Sequence, residues 1–351
     1  PLIALDFHHI CVYTDSAMKI EHHKNLRELN SFGFPVYAAQ YAEFGSLEEL
    51  RTLFSQLHPE RWYLLGGGSN TLFAGDFGGL VLHPAGGEIR IVSQTPEEAV
   101  VEADAGVEWD AFVAFTVERG WSGAENLSLI PGSVGAAPVQ NIGAYGAEAK
   151  DIIRYVDIWY PETGREERLE NAACRFGYRD SIFKQELKGR AIVLRVGFAL
   201  AKSFVPRTSY GNIAAELEKY DAITPATVRN AVIAIRRAKL PDPKEIGNGG
   251  SFFKNPVVKH AVAEALAVTY PGMPHYPDKN GIKIPAGWLI EQCGWKGHRE
   301  GDAGVHRHQA LVLVNYGSAA PEEVIGLSRR IAESVRNKFG IDIHPEINII
   351  G

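Results

Sequence analysis

The chain is poor in cysteine: Cys11, Cys174 and Cys293 are the only three in 351 residues, odd in number and far apart. They make neither a disulfide framework nor a cysteine-based zinc site, which fits a reducing, cytosolic setting. No apolar run approaches the ~18 residues that a membrane span needs. The opening PLIALDFHHICVYTDSAMK has no basic start and no long apolar stretch, so no secretory signal is read there. Charge of one sign is also lacking: the net charge is −6 at pH 7, with no patch that signals nucleic acid or an anionic membrane surface. Internal repeats and low-complexity tracts do not occur. Adjacent histidines do occur, at His8–His9, His22–His23 and His306–Arg307–His308. Neighbours on a strand face opposite ways, and no carboxylate or cysteine stands at ligand spacing, so no metal site is expected.

What the chain does have is ordinary globular composition, 45% hydrophobic and 22% charged, at a length that predicts two or three domains. Mixed helices and strands are expected. Ser46 with Glu49 forms a capping box before the helix LEELRTLFSQL. RWYLL is a short strand that runs directly into GGGSN, and GLVLHP and EEAVVEADAG are further strands. WDAFVAFTVERG predicts a helix closed by Gly120. YVDIWY and AIVLRVGFAL read as strands. In TPATVRNAVIAIRRAK, Thr224 caps a helix with Pro225 at its first position and Val228, Val232 and Ile235 at helical spacing. Helices follow at HAVAEALAV and AGWLIEQCG, then the strand ALVLVN. The long helix PEEVIGLSRRIAESVRNKF carries the stripe Val324, Leu327, Ile331 and Val335, and EINIIG closes the chain as a strand.

Two glycine-rich stretches stand out. Gly66-Gly67-Gly68-Ser69-Asn70, after a strand, frees consecutive backbone N–H groups for an anion nest, with two side-chain donors beside them. It is neither a Walker A loop nor a GxGxxG fingerprint, and by itself it is equally a simple turn. The second, GAENLSLIPGSVGAAPVQNIGAYGAE, has glycine or alanine at almost every third place over 26 residues. Small residues at that density let backbone amides lie flat against a large ligand, such as a diphosphate joined to a ring system. A third stretch, GNGGSFFKNP, sets Ser251 among glycines and phenylalanines with Lys254 as its only charge. Read alone, it is a hairpin turn before a half-buried strand, or a serine held close to a reacting atom.

Taken together and in order, LGGGSNTLF, GAENLSLIPGSVGAAPVQNIGAYG, CRFGYRDSIFK, GNGGSFFKNP, AGWLIEQCGWKG and HPEINIIG resemble the UDP-N-acetylenolpyruvoylglucosamine reductases. The resemblance runs from about Asn30 to Gly351. It implies an α+β fold: a two-part FAD-binding region of the vanillyl-alcohol-oxidase (PCMH) type plus a separate α+β substrate-binding domain. The expected division is a 1–23 extension, a first FAD-binding subdomain 24–87 with 341–351, a second at 88–240, and a substrate-binding domain at 241–340. It also implies FAD as bound cofactor, NADPH as co-substrate, and a reductase that makes UDP-N-acetylmuramate for peptidoglycan. A cytoplasmic monomer is the family expectation, with a nucleotide sugar as its small-molecule partner. The TSYGNI segment resembles the longer family form, in which a tyrosine loop folds over the substrate. The residues before the NSFG block match nothing in the pattern.

Residue by residue, the resemblance casts Ser251 as proton donor, Arg179 as the active-site arginine and Glu346 as a glutamate that polarises the intermediate. FAD falls to Gly66, Gly67, Gly68, Ser69, Asn70, Pro131, Gly132, Ser133, Gly135, Asn141, Gly143, Ala144 and Tyr145. Substrate falls to Tyr178, Tyr210, Lys239, Lys254, Asn255, Tyr276, Lys296 and Gln309. Outside the resemblance, Glu346 is an edge charge, Arg179–Asp180 a surface turn, and Arg236, Arg237 and Lys239 a solvated helix face. Cys174 and Cys293 are expected to pack as small residues. Two other readings compete: a sugar or lactone oxidase of the same flavin superfamily, and a non-catalytic nucleotide-sugar binder. The GSFFKNP block and the terminal glutamate weigh against the first, and the joint presence of Ser251, Arg179 and Glu346 against the second.

Overall fold

The computed structural model describes residues 19–351. Cys11, His8, His9 and most of the 1–23 extension lie outside the described residues. Residues 20–23 open the edge strand Ile20–Asn25, which pairs antiparallel with Tyr37–Phe44.

The first sheet has four strands, in the order Ile20–Asn25, Tyr37–Phe44, Phe77–Pro84 and Trp62–Leu64, with the last two pairings parallel. Parallel neighbours need a crossover, and the helix Leu47–Leu57 supplies it. Its capping box forms as the sequence predicts, with Ser46 Oγ accepting from the Glu49 N–H at 3.2 Å. The helix buries Leu50 and Leu53 against Ala42, Leu80 and Leu82, while Phe54 sets its ring edge-on to both Trp62 and Trp159. Trp159 belongs to the next sheet, so one apolar cluster joins the two layers.

That second sheet is antiparallel, in the order Glu166–Glu170, Ile153–Trp159, Ile192–Ala201, Glu98–Asp104, Ile89–Gln94. One face packs on the helix Trp109–Glu118, with Trp109, Phe112 and Phe198 in mutual contact. Alternate residues point the other way and form a charge lattice in which Glu102 and Asp157 meet Arg90, Arg168 and Arg195.

The helix Pro225–Lys239 docks on Trp109–Glu118 through one fork: Arg229 donates to both Asp110 oxygens at 2.6 and 2.8 Å. Asp110 Oδ1 also accepts the Leu129 N–H at 2.5 Å, holding the second glycine stretch where Leu129 turns at φ +57°. Burial alone raises a carboxyl pKa, but here the Arg229 fork and the Leu129 N–H outweigh it, and Asp110 titrates below the usual range. A depressed folded-state pKa contributes stability above the unfolded value of about 3.9, lost as pH falls through the lower folded value. We therefore expect Asp110→Asn to cost about 1–3 kcal/mol at neutral pH. The gap to wild type should narrow in urea melts once the pH drops below about 4.

A third sheet, Gly247–Ser251, Val312–Asn315, Ala303–Val305 and Arg299–Glu300, lies under the long helix Pro321–Phe339. The stripe Val324, Leu327, Ile331 and Val335 is buried, as its spacing predicts. After the helix stops at Gly340 (φ +67°) the tail runs back across the molecule. It bonds Phe252–Lys254 through the Lys254 N–H to His344 O (2.9 Å) and the Glu346 N–H to Phe252 O (2.7 Å). It then pairs Asn348–Ile350 in parallel with Thr71–Phe73. One strap thus ties the serine stretch to the first glycine loop.

Among the described residues no helix is long and apolar enough to cross a membrane.

Candidate active site

The two glycine stretches meet. A Cβ on Gly67 would stand 2.9 Å from the Gly132 Cα, and one on Gly66 would stand 3.1 Å from Ser133 Oγ. Gly68 turns at φ +63° so tightly against Leu29 that a Cβ would sit 2.0 Å from its carbonyl oxygen. Ser69 Oγ donates to Pro131 O at 3.1 Å, and Asn70 Nδ2 to Gln140 Oε1 at 2.5 Å, sewing the loops together. The Ser133 hydroxyl is enclosed and has no hydrogen-bond partner among the described residues. A cavity of about 270 Å³ opens beside Gly67, Gly132 and Ser133, flanked by Glu43, His83 and Glu108. A buried unpaired hydroxyl in a glycine cradle suits a phosphate oxygen, and the cavity suits a group joined to it. These residues fit FAD.

Further along, Asn141 is fully buried and acts as a hub. It donates to Gly177 O (2.9 Å) and Glu148 (3.2 Å) and accepts the Lys150 N–H (2.9 Å). This pins the Gly143–Tyr145 turn against the segment carrying Tyr178 and Arg179. Gly135 packs where a Cβ would strike Ala105 at 2.6 Å. Ala144 pairs with Ala147. Tyr145 (φ +49°) gives its carbonyl to Asn126.

Arg179 adopts φ +54°, a region unusual for a residue with a side chain. Such strain costs of order 1–3 kcal/mol and persists where surroundings impose it. Its fork explains the imposition: Nε donates to Glu346 Oε1 at 2.7 Å and one terminal nitrogen to Gly143 O at 2.7 Å. The pair is mostly enclosed, with side-chain exposures of 20% and 13%. Arg179 does stand in a tight turn closed by Gly177 and Asp180, but its side chain is no surface charge: it spans the second glycine stretch and the C-terminal tail.

Ser251 ends its strand just beyond a register break between Asn248 and Ser251, with Gly250 at φ +68°. A bulge of this kind re-aims the following side chain. The hydroxyl is exposed, while Phe252 and Phe253 beneath it are 1% and 2% exposed. Because the Glu346 N–H bonds to Phe252 O, Ser251 and Glu346 emerge on neighbouring segments.

Tyr178 lies across this group. Burial pushes its phenol up, against the pull of Arg179 and Lys283, so it is a neutral hydroxyl at physiological pH. Asn255 Nδ2 reaches Tyr178 Oη at 3.4 Å and Asn255 Oδ1 accepts the Ala286 N–H at 2.9 Å. Gln309 stands over the neighbouring Gly287.

The remaining expected substrate residues are looser. Tyr210 is 56% exposed, touching the Tyr145 ring edge-on at 6.5 Å. Lys239 ends its helix in solvent. Tyr276 is 53% exposed on a hairpin. Lys296 pairs with Glu291 at 2.8 Å. Three residues at the site went unnoticed in the sequence. Lys283 lies 4.0 Å over the Tyr178 ring. Lys184 has an enclosed ammonium. Asn126 bridges the Tyr145 and Arg207 carbonyls at 2.9 and 2.8 Å. Lys184 falls inside the CRFGYRDSIFK block, the one signal that could have flagged it. Asn126 falls inside the second glycine stretch, whereas Lys283 carries no local motif. Arg236, read as a helix face, is largely buried and donates to Leu129 O at 3.1 Å, and that burial pushes its guanidinium below the usual value.

Two family models match the chain. Residues 242–350 match the C-terminal domain of UDP-N-acetylenolpyruvoylglucosamine reductase, and residues 38–170 match a FAD-binding domain. A curated UDP-N-acetylenolpyruvoylglucosamine reductase of Bacteroides fragilis is 50% identical over 333 residues, covering 94% of this chain and 100% of that protein. One of Chromobacterium violaceum is 48% identical over 330 residues, covering 92% and 96%. A crystal structure of the reductase from Thermus caldophilus shares the fold at a TM-score of 0.67, with 24% identity, covering 95% of this chain and 100% of that one.

Proposed function

The chain belongs to the UDP-N-acetylenolpyruvoylglucosamine reductase family, FAD-dependent oxidoreductases of peptidoglycan synthesis, and from that premise we propose how its residues divide the work. The substrate is a nucleotide sugar carrying an enolpyruvyl ether, and NADPH is the electron donor. FAD when bound supplies the hydride chemistry. It is held by Gly66–Asn70, Pro131–Ser133, Gly135, Asn141 and Gly143–Tyr145.

The protein has to orient the enolpyruvyl group, disperse the charge that develops on it and deliver one proton. Ser251 delivers the proton from its Oγ to the carbon next to the reduced methylene. A hydroxyl is a weak acid, yet a carbanion-like centre is basic enough to take its proton if the geometry is fixed. The Gly250 bulge and the buried Phe252–Phe253 pair fix it. Arg179 holds Glu346 against the reacting group and places a guanidinium where negative charge builds up. Tyr178, Lys254, Asn255 and Gln309 line the substrate side. Tyr210, Lys239, Tyr276 and Lys296 reach it from the loops as the nucleotide end is covered. The units 24–87 with 341–351, 88–240 and 241–340 serve as two FAD-binding parts and one substrate part, in a cytoplasmic monomer.

The observation that carries the reading is the Arg179–Glu346 contact beside Ser251, built from three segments far apart in sequence. The test is product identification. Incubated with NADPH and UDP-N-acetylglucosamine enolpyruvate, the protein should yield a product heavier by two hydrogens and co-eluting with UDP-N-acetylmuramate. Hydrogen peroxide formation, with the nucleotide sugar untouched, would favour an oxidase instead.

A further inference from the structure

Asn126 is enclosed, only 1% exposed, and gives both protons of its amide to carbonyls from different parts of the chain. They are Tyr145 O at 2.9 Å and Arg207 O at 2.8 Å. Both partners only accept, so the amide stands one way round. Its own oxygen is left without a hydrogen-bond partner among the described residues. A bare enclosed acceptor costs free energy, so the worth of this side chain lies in the two protons it donates. The platform beneath it is firm. Asn126 sits in the turn Glu125–Leu127, where the Glu125 carboxylate accepts from Ser122 Oγ (3.0 Å) and the Gly123 N–H (2.6 Å). Leu127 O accepts the Trp109 indole N–H at 2.9 Å.

The two carbonyls differ in what else holds them. Tyr145 lies in the turn that the Asn141 hub already pins. Arg207 lies between the strand that ends at Ala201 and the helix that begins at Ile213, in a stretch that is neither strand nor helix and leaves most of its side chains exposed. This stretch carries Tyr210, and it is folded down on the Tyr145 turn. A Cβ on Gly146 would stand 3.5 Å from the Tyr210 Cβ, and one on Gly211 would stand 3.8 Å from the Tyr145 ring. The Arg207 guanidinium also pairs with Asp151, at side-chain exposures of 49% and 26%, and an ion pair so open to water holds weakly. The enclosed grip on the stretch is the Asn126 amide.

We infer that Asn126 is a positioning residue for substrate binding: its amide pins the Tyr210 loop onto the Tyr145 turn, so the cover over the nucleotide sugar is formed before the ligand arrives. The consequence for substrate rests on the proposed reading of Tyr210. A loop already in place meets its ordering cost during folding, whereas a loop released from the pin meets it on binding.

FAD-loaded wild type, Asn126→Ala, Tyr210→Ala and the double variant are compared in two assays. Trypsin cutting after Arg207 reads the loop itself, because cleavage of a native segment follows its open population. Asn126→Ala should be cut about tenfold faster, the worth of one or two hydrogen bonds. Titration calorimetry with UDP-N-acetylglucosamine enolpyruvate reads the consequence. Asn126→Ala should bind about three- to tenfold more weakly. The double variant should bind no more weakly than Tyr210→Ala, since the pin acts through that side chain. Asn126→Asp, equal in size, repeats both assays without a void, and its oxygens facing two carbonyls should free the loop at least as fully. Unchanged cutting, or affinity losses that multiply in the double variant, would overturn the assignment. Loss of FAD by both Asn126 variants would also overturn it, by placing the amide in the flavin cradle alone. Faster cutting, with Tyr210→Ala binding as tightly as wild type, would instead overturn the proposed cover by Tyr210.

Discussion

Replacing Ser251 with alanine should leave NADPH bleaching of the flavin at the wild-type rate. The return of the oxidised spectrum on adding the enolpyruvyl nucleotide sugar should slow by about 10²–10⁴-fold, the usual worth of a positioned proton donor. The separation of the two steps follows from where Ser251 sits. Its strand belongs to the third sheet, apart from the strands that flank the glycine loops. Removing one exposed hydroxyl should leave the Phe252–Phe253 packing and the melting temperature unchanged. Stopped-flow absorbance under nitrogen reads both steps. Equal slowing of both steps would point to damage at the flavin loops, and full turnover would remove Ser251 from the chemistry.

Arg179→Met is the second large effect, and it should be felt in stability as well as rate. The substitution keeps the side-chain bulk but leaves Glu346, only 13% exposed, without its partner and Gly143 O without a donor. The cost to folding should be about 2 kcal/mol, since a charged hydrogen bond is lost while relief of the φ +54° strain offsets little of it. The oxidative step should fall by about 10²–10³-fold, in line with losing a preorganised charge. Arg179→Lys should rescue neither, because an ammonium cannot reach Glu346 and Gly143 with one planar fork. A lysine variant with wild-type rate and melting temperature would show that the fork itself does not matter.

Much of this arrangement was legible in the sequence where local rules decide it. The capping box at Ser46, the Thr224–Pro225 helix start and the stripe from Val324 to Val335 all stand where their patterns put them. Gly66–Asn70 follows the strand Trp62–Leu64 as RWYLL implied. Less legible were the strands Ile20–Asn25, Ile89–Gln94 and Glu166–Glu170. Each contributes an edge or an exposed face, so polar residues such as those of IEHHKN and EERLE carry no core signature. The hairpin Tyr276–Lys283 has an exposed first strand and carries no core signature either.

At the site, motifs pointed to single residues, whereas the structure adds what joins them. No spacing rule connects Arg179 with Glu346, which are 167 positions apart. The tail brings them together by pairing with Phe252 on one side and Thr71–Phe73 on the other. Lys184 and Lys283 escaped notice because a lysine in a loop is ordinarily solvated. Only tertiary packing encloses the first and lays the second over Tyr178.

The most direct test of the whole account is an anaerobic spectrum of the purified protein. The flavin absorbance should bleach with NADPH and return promptly, without oxygen, when UDP-N-acetylglucosamine enolpyruvate is added. Bleaching with no return except in air would contradict the assigned substrate, and a protein that neither contains nor takes up FAD would contradict the account at its base.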